Sequence, residues 1–217
     1  MIKIIPSTNP CDENALLDYA KQIQSMGLEY IHCDVMDGEF VPNKCLSMDK
    51  MVEIRDNTAL SLDVHLMVAN PIKVIKEYID LRPNIVTFHI EALHDKNQVL
   101  SIIKKLHKAG IWAGIAIKPD TVTETVIPYL PLIDCVLVMS VEPGKSGQEY
   151  IKGTEEKVKT LKSIINKNNL CVKIEIDGGI KDYMVHNLAK SGVDYFVIGS
   201  AFYKSKDKEK FLQTCNN

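Results

Sequence analysis

At 217 residues, 46% of them apolar and 25% charged, the chain suffices for one large domain or two small ones with a substantial core. A formal net charge of -2 gives no general reason to expect nucleic acid or a membrane surface as partner. The opening "MIKIIPSTNP" lacks the apolar stretch of a secretory signal, and no run approaches a membrane span, so a cytoplasmic location is expected.

In chain order, short apolar runs alternate with longer amphipathic ones. The strand candidates are "IKIIP", "EYIHCDV", "LSLDVHLM", "IVTFHI", "WAGIAI", "DCVLVMS", "CVKIEID" and "YFVIG". Helical spacing occurs at Glu13 to Ser25, Pro71 to Asp80, Asn97 to Lys108, Thr154 to Asn166 and Lys181 to Lys190, with Gly27, Gly110 and Gly192 as helix stops. Eight strands alternating with helices imply an α/β protein with parallel pairing, either an open doubly wound sheet or a closed (β/α)8 TIM barrel. The count of eight, and polar residues at several strand C-terminal ends, favour the barrel. No composition shift or linker divides the chain, so residues 1–217 are expected to form a single barrel domain.

Six cysteines, at 11, 33, 45, 135, 171 and 215, include no Cys-x-x-Cys pair. Cys33, Cys135 and Cys171 fall in apolar strand-like runs and are read as small core hydrophobes, kept reduced in the cytosol.

The second strand candidate, in "YIHCDVMDGEFVPN", holds an anomaly. Side chains alternate along a strand, so His32 and Asp34 share one face while Ile31, Cys33 and Val35 share the other. A buried imidazole beside a buried carboxylate needs compensation by hydrogen bonds, a metal ion or water. The third strand adds His65 in "LDVHLMV", and the seventh adds Asp177 in "EIDGG". In a barrel these strand ends converge on one mouth, and two imidazoles with two carboxylates suit one divalent cation such as zinc, iron(II), manganese or cobalt. Asp37 and Gly38 read as the turn leaving the second strand.

Phosphate is a second theme. "DGGI", with Gly178 and Gly179, follows the seventh strand, and "GSAF", with Gly199 and Ser200, follows the eighth. Loops at these two places of a barrel hold phosphates through backbone N–H groups. A third glycine loop, "EPGKSGQ", carries Gly144, Lys145, Ser146 and Gly147 and is positioned to fold over a ligand. Met36, Met67 and Met139 fall at strand ends, as core filler or as an apolar wall that excludes water from the site.

The segments "HCDVMDGEFVPN", "LDVHLMV", "FHIEA", "GIAIKPDT", "VMSVEPGKSGQ", "EIDGGI" and "VIGSAF" resemble, in order, the signature segments of the ribulose-phosphate 3-epimerases, from Pro6-Ser7 to Phe202. The resemblance implies a metal-dependent (β/α)8 barrel that interconverts D-ribulose 5-phosphate and D-xylulose 5-phosphate. It implies one divalent cation on His32, Asp34, His65 and Asp177, with Asp34 and Asp177 also the two acid/base groups at C3. It further implies substrate contacts from Ser7, His65, the strand-six loop (Gly144 to Gly147), Gly178, Gly179, Gly199 and Ser200. A phosphorylated ketose and further copies of the chain, as a homo-oligomer, are the implied partners.

Two places depart from the family pattern. After Ser7 the chain reads "TNPCDEN" where an apolar pair and a Ser/Asn-x-Asp pattern are usual, and Lys145-Ser146 replaces Phe-Gly. Ser146 gives up glycine's freedom at positive φ, which is expected to affect loop closure. Alternatives are a 3-epimerase of a ketohexose 6-phosphate such as allulose 6-phosphate, and a non-catalytic phosphosugar-binding barrel. Retention of both aspartates and both histidines argues against the latter. A decarboxylase or aldolase is disfavoured because Lys118, the only contender for a Schiff base, sits in epimerase-like surroundings.

Overall fold

A computed structural model of the chain describes residues 2–216. Its strands are β1 (Lys3–Pro6), β2 (Tyr30–Asp37), β3 (Lys44–Cys45), β4 (Ser61–Met67), β5 (Ile85–His89), β6 (Trp112–Ile117), β7 (Cys135–Met139), β8 (Lys173–Asp177) and β9 (Tyr195–Ile198). All eight expected strands form, and the two-residue β3 is an addition, antiparallel to the end of β2. The other eight pair in parallel in the order β1-β9-β8-β7-β6-β5-β4-β2. A bridge between Ser7 and His32 joins the first strand to the second and closes the sheet into a (β/α)8 barrel.

The helices are α1 (Leu16–Ser25), α2 (Met48–Asn57), α3 (Pro71–Leu81), α4 (Lys96–Lys108), α5 (Thr154–Lys167), α6 (Asp182–Ser191), α7 (Ser200–Tyr203) and α8 (Lys208–Asn216). Gly27, Gly110 and Gly192 follow or cap their helices with φ of 77°, 74° and 117°, the left-handed geometry of a helix stop. Between β6 and β7 the chain makes two 3-10 turns instead of an α-helix, because Pro128 and Pro131 remove the N–H groups an α-helix there would need.

Alternation sorts each strand into two faces. Ile31, Cys33 and Val35 of β2, with Leu62, Val64 and Leu66 of β4, pack outward in the main core beneath the helices. Inside the barrel, Ile5, Ile85 and Tyr195 fill the N-terminal end, and Ala116, Leu137, Met139 and Val141 line one wall higher up. The remaining interior is polar. Register pairs His32 with Asp63 and Asp34 with His65 across β2 and β4, and Met139 with Asp177 across β7 and β8.

Two of the three cysteines assigned to the core, Cys33 and Cys135, are fully buried. Cys171 is a correction: β8 starts only at Lys173, and Cys171 lies exposed in the chain before it. Cys215 on α8 is buried instead.

Candidate active site

The polar residues form two tiers under one cavity. Asp34 and Asp177 line the cavity itself, while His32 and His65 lie fully buried beneath it. One donor atom from each of the four lies within 4.8 Å of the others. His32 Nε2, His65 Nδ1 and Asp34 Oδ1 make a triangle with edges of 3.3, 3.4 and 3.4 Å. Ligands at about 2.1 Å from a tetrahedral ion stand about 3.4 Å apart, so this triangle fits a first-row divalent cation. Two nitrogen and two carboxylate donors suit the same class of ion.

Neighbouring groups set each donor. Asp63 Oδ2 lies 2.6 Å from His32 Nδ1 and fixes the ring so that Nε2 faces the other donors. Ser7 donates its hydroxyl to Asp34 Oδ2 at 2.6 Å, and the Asn9 N–H donates to Ser7 Oγ at 3.0 Å. The Thr8 N–H donates to the His32 carbonyl at 2.9 Å. The unusual segment after Ser7 therefore still seats that serine. On the other side, Ser140 donates its hydroxyl to the carbonyls of Asp177 and Gly178, at 2.9 and 2.6 Å, and holds the turn that follows β8.

These environments part the two aspartates. Burial opposes an ionised Asp34, but the His32 charge and the His32 and His65 contacts outweigh it, and its pKa falls. Burial and the charge of Asp34 together raise Asp177 to about 7. Burial also pushes the His32 imidazole down, yet Asp63 and Asp34 on its two sides reverse the sign and the net shift is upward. Below them, burial and Asp63 push Glu175 well above the usual carboxyl range. Among the described residues, Asp63 Oδ1 and Glu175 Oε1 have no hydrogen-bond partner, and the nearest imidazole nitrogen to Glu175 Oε1, His32 Nδ1, stands 3.7 Å away.

Of the other residues singled out in the sequence, Ser7, Met67, Met139, Gly144, Lys145, Ser146, Gly147, Gly178, Gly179, Gly199 and Ser200 line the same cavity. Met36 does not: it packs with Val41 and Met67 behind the wall. Gly178 and Gly179 take φ of 122° and 67°, and a Cβ on Gly179 would lie 2.4 Å from the Tyr150 nitrogen. Asn43 donates its side-chain amide to the Gly144 carbonyl at 2.7 Å, tying the β7–α5 loop across the mouth. The strain expected at Ser146 does not arise. Positive φ falls on Gly144 and Gly147, at 107° and 81°, and not on Ser146. Asp37 is the turn residue expected, accepting from the N–H groups of Glu39, Phe40 and Ala69 at 2.7 to 2.9 Å.

Sequence reasoning overlooked Asp63, Glu175, Ser140 and His89. For the first two a signal existed, since each stands two residues before a site residue and shares its strand face.

Solved structures similar to this one are barrels of the same kind. A 3-hexulose-6-phosphate synthase matches with TM-score 0.74 at 12% identity, covering 99% of this chain and 98% of that one. A mutant tryptophan synthase alpha-subunit from Pyrococcus furiosus matches with TM-score 0.71 at 15% identity, over 100% and 98%. At that identity the likeness concerns the (β/α)8 fold alone. Sequence is more specific. Residues 3–203 match the model of the ribulose-phosphate 3 epimerase family. The ribulose-phosphate 3-epimerase of Mycobacterium bovis is 37% identical over 94% of this chain and 87% of its own length. That of Helicobacter pylori strain 26695 is 34% identical over 100% and 97%. The chain belongs to the ribulose-phosphate 3-epimerase family and is an enzyme of the epimerase class.

Proposed function

We propose that the enzyme interconverts D-ribulose 5-phosphate and D-xylulose 5-phosphate by proton transfer at C3, with Asp34 and Asp177 as the two acid/base groups. The observation that carries this reading is the pair itself. Both carboxylates line one cavity, and an oxygen of each lies within 4.8 Å of the other, so two carboxyl groups face the same bound molecule. Inversion needs a base on one side of C3 and an acid on the other, and two carboxyls that reach one cavity from different strands, β2 and β8, can divide those roles. Which of them removes the proton depends on the direction of reaction.

His32, Asp34, His65 and Asp177 would hold one divalent cation, which supplies Lewis-acid stabilisation of the charge that develops on the substrate oxygens as the proton leaves. The protein does the rest. Ser7 orients Asp34, Ser140 anchors the turn carrying Asp177, and Met67 and Met139 make an apolar wall that limits water. Gly178, Gly179, Gly199 and Ser200 line the cavity where the substrate phosphate would meet backbone N–H groups. Among the described residues no helix is long and apolar enough to cross a bilayer.

The test is an epimerisation assay on D-ribulose 5-phosphate in deuterated water, alongside metal analysis of the purified protein. Deuterium entering C3 with formation of D-xylulose 5-phosphate supports the proposal. Turnover of allulose 6-phosphate in its place, or no exchange with either sugar, overturns it.

A further inference from the structure

His65 differs from His32 in how it is held. Among the described residues no carboxylate hydrogen-bonds its far nitrogen, Nε2. His65 Nε2 lies 2.9 Å from His89 Nε2 on β5, and His89 Nδ1 lies 3.0 Å from Glu91 Oε2. Both rings are fully buried. The other oxygen of Glu91 accepts from the Lys118 N–H at 2.8 Å and the Thr121 hydroxyl at 2.5 Å. That segment after β6 is secured from outside by the Lys157 ammonium, which donates to the carbonyls of Lys118, Pro119 and Thr121.

One proton can lie between two ring nitrogens 2.9 Å apart, and the carboxylate decides which ring carries it. An ionised carboxylate only accepts, so it selects the His89 form with the proton on Nδ1. The bare Nε2 of that ring must then accept, so His65 carries its proton on Nε2. His65 Nδ1 is left with its electron pair, and this is the nitrogen in the triangle with His32 and Asp34. We propose that Glu91 is a positioning residue for the metal ligand His65: acting through His89, it fixes the tautomers of two successive imidazoles and so presents a lone pair at the ligand position. The proposal rests on the reading of His65 as a metal ligand. It assigns to a residue outside the cavity lining a part in metal affinity that no direct contact would reveal.

Glu91→Gln is the informative change because it keeps shape and reverses polarity at one end. The amide oxygen is claimed by two donors, Lys118 N–H and Thr121 Oγ1, which turns the amide NH2 toward His89 Nδ1. His89 must then carry its proton on Nε2 and donate to His65, and the His65 proton moves to Nδ1, into the ligand position. Tautomers are read from two-bond proton–nitrogen spectra of the 15N-labelled full chain after treatment with chelator, at pH 7.5. The expected result is Nε2–H on His65 in the wild type, Nδ1–H in Glu91→Gln, and His32 unchanged. Zinc affinity, measured by competition with a chromophoric chelator, is expected to fall roughly 10- to 100-fold, the range for groups that orient metal ligands.

Two results overturn the proposal: an Nδ1–H tautomer on His65 in the wild type, which needs no variant to fold, or Glu91→Gln binding zinc within twofold of wild type. The metal reading is tested separately by His65→Ala, which abolishes tight zinc binding if His65 is a ligand. Failure of the epimerisation assay with zinc binding and tautomers as described removes the proposed reaction and leaves the role of Glu91 standing.

Discussion

Asp34 and Asp177 bring carboxylate oxygens within 4.8 Å of each other at one cavity, yet only Asp34 is braced by a hydroxyl, from Ser7. Equal chemistry in unequal surroundings separates their affinities for a proton. Asp34→Asn and Asp177→Asn should therefore each lower kcat by about 10²- to 10⁴-fold, the usual worth of a positioned acid or base. Turnover within a few-fold of wild type in either variant sinks the two-base scheme.

Gly179 and Gly147 both take positive φ, but their surroundings differ. A Cβ on Gly179 would collide with the backbone of Tyr150, whereas a Cβ on Gly147 meets nothing within 4 Å. Gly147→Ala should cost only the left-handed backbone penalty, about 1–2 kcal/mol. Gly179→Ala should cost clearly more and raise KM for the phosphorylated substrate, because the turn must shift. Urea denaturation and steady-state kinetics of the two variants check the ranking.

Lys145 stands where the family usually has an aromatic residue, and it is exposed on the cavity rim. If its ammonium helps to attract the substrate phosphate, Lys145→Phe raises KM at low salt by roughly up to fivefold, the range of an exposed ion pair. The difference should shrink as salt is added. An unchanged KM at low salt rules the contribution out.

Glu91 carries a pH signature of its own. Burial disfavours its charge, but the hydrogen bonds from His89, Lys118 and Thr121 outweigh that and pull its pKa to about 2. A carboxyl whose pKa is lower folded than unfolded stabilises the fold fully above its unfolded pKa, near 4.5, and loses that contribution as pH falls toward 2. The stability gap between wild type and Glu91→Gln should therefore be constant from pH 7 to about 5 and narrow below that. Denaturation midpoints across this range, in the presence of chelator, decide the matter, and a gap that widens in acid contradicts it.

Much of this was open to reading from residues alone, for a physical reason. Barrel strands alternate strictly, so His32 and Asp34 within "YIHCDV" announce a polar interior wherever the partner strands supply polar residues at the same height. The same parity marks Asp63 before His65 and Glu175 before Asp177, but a carboxyl in a core strand declares its role only once its neighbour across the sheet is known. Helix α2 gave little signal because only Met51 and Ile54 on it are buried, and α8 buries only Phe211 and Cys215. Ser146 was misjudged in the opposite direction. Glycines at 144 and 147 take the left-handed positions, so the residue between them had no such demand to meet.

The barrel seam has a consequence for assembly. β1 pairs along its length with β9, the last strand, whereas its ladder to β2 is a single bridge just past its end, between Ser7 and His32. The hydroxyl that braces Asp34 is thus delivered by a strand whose own partner is synthesised near the end of the chain. A nascent chain lacking β9 has no template to dock β1, and long-range closures of this kind come late in folding. The orientation of the Asp34 carboxylate is in this way a report on whether both ends of the polypeptide have met, and a ring left open leaves Asp34 without its brace.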